Sequence, residues 1–136
     1  MKKIVSLLLV FLICALSLSA CSGDGYLKRY GASDLYDKSD MDAAVRVIMR
    51  RFRSWEDDCR MIEVAYAGDE VSKENLSYCN SLTEGEPYDA CIVFETAFRT
   101  LDRTQGLNPN DFYTGYRWYL ARTGTGQWKV VGCGYG

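Results

Sequence analysis

The sequence predicts one α+β domain, in which a mostly antiparallel sheet of about four strands packs on an N-terminal helix. An amphipathic helical pattern comes first, strand-like segments follow it, and aromatic strands joined by a glycine-rich turn close the chain. Helices followed by strands that are joined through hairpins are typical of the α+β class. The 136 residues are enough for one core and too few for two domains.

The first element is a helix predicted over about residues 40–54. Ser39-Asp40-Met41-Asp42 has the form of a helix start with acids in the first turn. One apolar face follows at helical spacing, and it consists of Met41, Ala44, Val45, Ile48, Met49 and Phe52. Arg46, Arg50 and Arg53 lie off this face, where a solvated surface is a simpler interpretation than a partner site.

The remaining elements are strands and one short helix. Alternation and an excess of β-branched or aromatic residues predict strands over residues 60–67, 91–98, 112–122 and 127–134. The short helix is predicted from Ser72 to about Ser81. Thr123-Gly124-Thr125-Gly126 predicts a hairpin turn between the last two strands.

The start of the chain has the pattern of an export signal. Lys2 and Lys3 precede an apolar run from Ile4 to Leu18, which is shorter than the roughly 20 residues of a membrane-spanning helix. Leu18-Ser19-Ala20-Cys21 resembles the lipobox of bacterial lipoproteins, in which the cysteine receives a diacylglyceryl group with acyl chains such as palmitate. The rival interpretations are an uncleaved membrane anchor and an ordinary secretory cleavage beside a chance cysteine.

The lipobox resemblance implies a signal peptide over residues 1–20 that is removed, a lipidated Cys21 with a tether over 21–33, and one domain over 34–136. Removal of the signal would take away two lysines and no acid, so the net charge would change from −2 to −4. We therefore expect an extracytoplasmic protein that the lipid on Cys21 anchors to the bacterial cell membrane.

Composition argues against several classes of function. The chain has no histidine, which removes serine–histidine and cysteine–histidine catalysis and the commonest metal ligand. A net charge of −2 gives no electrostatic reason to expect nucleic acid as a partner. The sequence predicts no cofactor, no metal site and no catalytic residue.

Four cysteines remain in the mature chain, and an even number outside the cell predicts two disulfides. Cys79–Cys91 is the first choice of pairing, as a staple between the short helix and the second predicted strand, and it leaves Cys59–Cys133. The second bond needs the first and fourth predicted strands to come close, whereas parallel first and second strands would bring Cys59 near Cys91. A zinc or redox site would want a close C-x-x-C pair, which the spacing lacks.

A ligand pocket on the sheet is predicted from two sets of residues. Glu63 and Glu95 occupy matching positions on two strands and could serve acid–base chemistry in a cleft, although a solvated face explains them more simply. Tyr113, Arg117 and Tyr119 alternate with other aromatic residues along the third strand. Such side chains could line a concave pocket, or they could stabilise the sheet through cross-strand pairs with Trp128 and Tyr135.

The C-terminal motifs resemble an uncharacterised group of small lipoproteins found mainly in Gram-positive gut bacteria. The resemblance covers about residues 33–135 and is carried by Leu107-Asn108-Pro109-Asn110, Tyr116-Arg117-Trp118-Tyr119 and Gln127-Trp128-Lys129-Val130-Val131-Gly132. It implies an NTF2-like, cystatin-related fold, with a curved antiparallel sheet wrapped around a helix, and it transfers no catalytic residue. The cysteines at 79, 91 and 133 depart from the pattern of the group.

These patterns together lead us to expect a non-enzymatic binding domain for a small molecule or an envelope protein. The alternative is a hydrolase or isomerase that uses carboxylates and tyrosines in an NTF2-like cavity. A third hypothesis is an envelope interaction protein that works through a flat surface.

Overall fold

The computed structural model describes residues 25–55, 58–104 and 106–136. The strands are β1 (Leu27–Arg29), β2 (Cys59–Tyr66), β3 (Ala90–Thr100), β4 (Phe112–Arg122) and β5 (Lys129–Tyr135). The helices are α1 (Lys38–Phe52), α2 (Asp69–Glu74) and α3 (Leu76–Ser81), and a 3₁₀ turn (Arg53–Trp55) follows α1. The predicted signal peptide over 1–20 and the predicted lipidation site at Cys21 lie outside the described residues.

The sheet has five strands in chain order, and it is mixed. Strands β2 to β5 are antiparallel, whereas β1 runs parallel to β2, with Leu27 opposite Glu63. The α+β class agrees with the prediction. The expected antiparallel sheet of about four strands was wrong in one respect, because a fifth strand, β1, lies at the edge and runs parallel to its neighbour. Strand β1 falls in the segment predicted as a tether, because three residues are too few to show a period of two.

Helix α1 is anchored at its start by Asp37, whose side chain accepts a hydrogen bond from the backbone N–H of Asp40. The cap is therefore two residues earlier than predicted. Five of the six residues predicted to face the sheet are buried, namely Met41, Ala44, Val45, Ile48 and Phe52. The sixth, Met49, is half-buried and also lines a groove on the surface of α1. The buried side chains lie against the most deeply buried residues of the sheet, among them Val64, Ile92, Phe94, Phe98, Trp118 and Leu120.

A second, smaller layer covers part of the opposite face of the sheet. Helices α2 and α3 pack over a buried cluster made of Cys79, Cys91, Val93, Tyr119 and Ala121. Ser72 of α2 is fully buried, and its hydroxyl accepts a hydrogen bond from the backbone N–H of Val93. The sheet is thus covered on both faces at the end that carries Cys91 and Ala121.

The carboxylate of Asp69 ties the segment between β1 and α1 to the start of α2. It accepts hydrogen bonds from the Ser33 hydroxyl, the backbone N–H of Asp34 and the Tyr66 hydroxyl. The hydrogen bond from Ser33 is the largest cause that holds the pKa of Asp69 below its usual value. Ser33, the last residue of the predicted tether, is therefore held in place by α2, as is Asp34, the first residue of the predicted domain.

Candidate functional site

Of the five residues predicted to line a pocket, four lie on one face of the sheet and the fifth, Tyr113, lies on the other. Glu63, Glu95 and Arg117 lie on the sheet face opposite α1, because each alternates with side chains that pack in the α1 core. Arg29 donates to both carboxylate oxygens of Glu63, at 2.9 and 2.8 Å, and Arg117 donates to Glu95 at 2.8 Å. Each carboxylate is therefore neutralised by an arginine, and this pairing provides neither a free base nor a free acid.

Tyr113 lies on the other face of the sheet from Arg117 and Tyr119. The pairing of β3 with β4 shifts register here, so that Thr96 faces Tyr116 but Phe98 faces Tyr113. Gly115 lies in this bulge with φ of +72°, a conformation that suits glycine. The Tyr113 ring stacks on Phe98 on the α1 side, with 5.4 Å between the ring centroids.

Tyr119 is buried under α3, where its ring packs against Tyr78 at 5.0 Å. Its side chain also forms a hydrogen bond with Arg117, and the pKa of that guanidinium is raised first by its hydrogen bond to Glu95 and then by this one. Arg117, Glu95 and Tyr119 are thus in contact on one face of the sheet, whereas Tyr113 lies on the other face and cannot line a cavity with them. The extra residue at the bulge reverses the in–out alternation on which the prediction depended.

The thiols of Cys79 and Cys91 are neighbours. Their sulfur atoms lie 3.1 Å apart in the buried cluster under α3, and both cysteines are free in this structure. The hydrogen bond between them lowers the pKa of Cys79 and, together with burial, raises the pKa of Cys91. A disulfide at this position remains a prediction. To form it, the two sulfur atoms would only have to move closer together.

Cys59 and Cys133 are placed differently. Cys59 on β2 pairs with Thr100, whereas Cys133 on β5 pairs with Trp118 of β4, and strands β3 and β4 lie between the two cysteines. Bridged cysteines need Cα atoms within about 7 Å, so a Cys59–Cys133 bond does not fit this strand order. A Cys59–Cys91 bond does not fit either, because β2 and β3 are antiparallel and Cys91 lies nine positions from Thr100 along β3.

We expect peptide mapping without reduction to find one disulfide, between Cys79 and Cys91, and free thiols at Cys59 and Cys133. Cross-linking these two residues closes a short loop, which stabilises a fold by roughly 2–4 kcal/mol, so reductant is expected to lower the urea midpoint. The Cys59→Ala variant is the control, because it should keep the sensitivity to reductant. Four alkylated thiols in unreduced, unfolded protein would contradict the prediction.

A cavity of about 360 Å³ opens between α1 and the turn that joins β4 to β5. We call it the arginine cavity. No acidic side chain lines it, and its described lining consists of Ala43, Arg46, Val47, Arg50, Arg122, Thr125, Gly126, Gln127 and Trp128. The spacing of the four α1 residues places them on one side of that helix, next to the buried face.

Arg46 and Arg50 give the cavity its charge. Both side chains are exposed, and no residue in the described part of the chain forms an ion pair or hydrogen bond with them. The same two arginines also line an adjoining groove of about 530 Å³ together with Lys28, Asp42 and Arg53. Since Asp42 is already paired with Lys38 at 2.6 Å, this side of α1 carries an excess of positive charge.

The wall of the arginine cavity opposite α1 contains two buried N–H donors without acceptors. The Arg122 guanidinium lies over the Trp128 ring at 4.2 Å, and its Nη1 donates to Asp40 at 2.8 Å. Arg122 Nε and Trp128 Nε1 have no hydrogen-bond acceptor among the described residues. Both atoms are buried within the wall, and a buried donor that lacks a partner costs roughly 1–3 kcal/mol.

Only part of this site is predictable from the sequence. The spacing of Arg46, Arg50 and Arg53 indicates that they lie off the core face of α1, but a solvated surface explains that spacing more simply than a binding site does. The strand pattern predicts Trp128 only as a cross-strand partner. No sequence pattern indicated a role for Arg122 in a binding site. Arg122 reaches α1 through a contact with Asp40, 82 residues earlier in the chain, and no local pattern encodes such a contact.

The described residues form a small α+β domain with cavities beside α1 and beside the turn that joins β4 to β5. No cluster of acidic and cysteine side chains in the described ranges could hold a metal ion. Within those ranges, every helix is too short or too polar to cross a membrane. Comparison of the chain with protein-family models, with curated proteins and with solved structures found no match.

Proposed function

We propose that this chain is a lipid-anchored, extracytoplasmic binding domain with an NTF2-like or cystatin-like fold, and that its ligand is a small organic anion. The observation that carries the proposal is the arginine cavity. Two exposed guanidinium groups line a cavity of about 360 Å³ opposite a wall that contains Arg122 and Trp128, with no acid among the described lining residues. This volume lies in the range of small-molecule sites.

The chemistry of the cavity defines the ligand class. Guanidinium groups form charge-assisted and often bidentate hydrogen bonds with carboxylate and phosphate groups. Ala43 and Val47 add an apolar wall on the α1 side, which suits a ligand with an apolar body next to its anionic group. The enzyme alternative has less support, because Glu63 and Glu95, which it would use, are each paired with an arginine.

Titration calorimetry of the purified protein with phenyl phosphate tests the anion-binding part of the proposal. We expect binding that weakens as sodium chloride rises, because salt screens the attraction between exposed charges. Benzyl alcohol, which has the ring without the charge, should not bind. Equal binding of the two compounds, or binding of phenyl phosphate that salt does not change, would contradict the proposal.

The lipid anchor makes a separate prediction at Cys21. The Cys21→Ala variant should accumulate as an unlipidated, unprocessed precursor, because the thiol that accepts the diacylglyceryl group is gone. Labelling cells with a radioactive fatty acid measures this directly. The Cys59→Ala variant is the matched control and should be labelled like the original protein. Unchanged labelling of the Cys21→Ala variant would rule out lipidation at this residue.

A further inference from the structure

A second cavity, of about 270 Å³, lies beyond the C-terminal end of α1 and is independent of the arginine cavity. We call it the aromatic cavity. Its described lining consists of Trp55, Asp58, Cys59, Phe98, Leu107, Tyr116 and Tyr135. The 3₁₀ turn after α1 supplies Trp55, and β3, β4 and β5 supply the other three rings.

Three of the rings form a corner. The centroids of Trp55, Phe98 and Tyr116 are 5.7 to 6.1 Å apart, and the ring planes meet at angles between 62° and 83°. Phe98 is almost fully buried, so the half-buried rings of Trp55 and Tyr116 provide the surface of this corner that a ligand can reach. Tyr135 adds a fourth ring, edge-on to Tyr116 at 5.3 Å and 89°.

The charge of the aromatic cavity is opposite to that of the arginine cavity. Asp58 is the charged side chain in its described lining, and no base lines it. The Asp58 carboxylate forms no ion pair or side-chain hydrogen bond with a described residue, although Arg103 lines a neighbouring cavity with it. An aromatic wall beside an unpaired carboxylate attracts a cation and disfavours an anion.

We infer that the aromatic cavity binds an alkylated ammonium group, of the quaternary type that choline carries. Such a group is large, weakly hydrated and positively charged, so it gains from the faces of aromatic rings without the desolvation cost of a bare ammonium. Asp58 supplies the complementary charge at the edge of the rings. This site stands on different residues from the arginine cavity and does not depend on the proposed function.

The ligand pair choline and 3,3-dimethyl-1-butanol tests the inference by calorimetry on the purified protein. The two compounds have the same shape, but only choline is charged, and we expect choline to bind at least roughly tenfold more tightly. A vesicle arm, with phosphatidylcholine compared with phosphatidylglycerol, then distinguishes a lipid headgroup from a free small molecule. Equal affinity for choline and its neutral analogue would overturn the inference.

Variants locate the binding. Tyr135 is 58% exposed, so Tyr135→Leu should leave the fold intact and reduce choline affinity by about twofold to thirtyfold, the range of one cation–π contact. Asp58→Asn should reduce it as well. Phe112→Leu is the matched control, since Phe112 is 64% exposed and does not line the cavity. Unchanged choline affinity in both Tyr135→Leu and Asp58→Asn would contradict the assignment of this site. A failure of the protein to bind phenyl phosphate would contradict the proposed function but not this inference.

Discussion

Replacing Arg46 and Arg50 together with glutamine is expected to weaken phenyl phosphate binding by about a hundredfold. Each guanidinium would contribute a hydrogen bond to a charged group, which is worth roughly 1.5–3 kcal/mol, or about tenfold or more in affinity. The fold should not suffer, because both side chains are exposed and unpaired among the described residues. Surface changes of this kind usually alter stability by less than about 0.5 kcal/mol.

Arg51→Gln is the matched control for this experiment. Arg51 is an exposed arginine on the same helix, and it lines neither the arginine cavity nor the adjoining groove. We expect it to bind phenyl phosphate nearly as the original protein does, with only the small loss that one distant charge causes. Equal weakening by Arg51→Gln and by the double substitution would mean that net charge, and not this cavity, governs binding.

Replacing Trp118 with alanine is expected to lower the free energy of unfolding by about 3–5 kcal/mol. Trp118 is completely buried in the α1 core, and its ring packs against Trp55 at 5.6 Å and Tyr116 at 5.7 Å. Its indole N–H also donates to the Thr96 hydroxyl at 3.1 Å. Truncation would therefore remove apolar burial, leave a void and deprive a buried hydroxyl of a partner.

Urea denaturation measures this loss, with Phe112→Ala as the control on the same strand. Phe112 is largely exposed, so its replacement should change stability by less than about 1 kcal/mol. Domains of this size are stable by only about 5–15 kcal/mol, so the Trp118→Ala variant should have a clearly lower midpoint. A loss below about 1 kcal/mol would show that the core assigned to α1 is wrong.

The sequence predicted best the elements with a long and regular pattern. The apolar spacing of α1 identified its buried face, and the predicted third strand has the bounds of β4, residues 112–122. The start of α1 was misplaced because Ser39 and Asp37 both have side chains that cap helices, and only the folded chain shows that Asp37 does so. Strand β1 was missed because three residues carry no measurable alternation.

The candidate sites were less predictable for a geometric reason. A single extra residue at the Gly115 bulge puts Tyr113 on the α1 face and leaves Arg117 on the other face. One glycine within a strand pattern does not by itself reveal such a bulge. The proximity of the Cys79 and Cys91 thiols is predictable, because the short helix that carries Cys79 directly precedes the strand that begins near Cys91. The predicted Cys59–Cys133 disulfide does not fit the structure, because it requires the first and last predicted strands to be neighbours, whereas the strands lie in chain order across the sheet.

The most direct test of the arginine cavity is the indole N–H signal of Trp128 in a nuclear magnetic resonance titration with phenyl phosphate. The protein has three tryptophans, so their side-chain signals can be resolved and assigned by substitution. We expect the Trp128 signal to move most, since its ring lines the cavity, and the Trp118 signal to stay, since Trp118 is completely buried and its N–H is already bonded to Thr96. A Trp128 signal that stays in place at saturation, while Trp55 moves, would contradict the account.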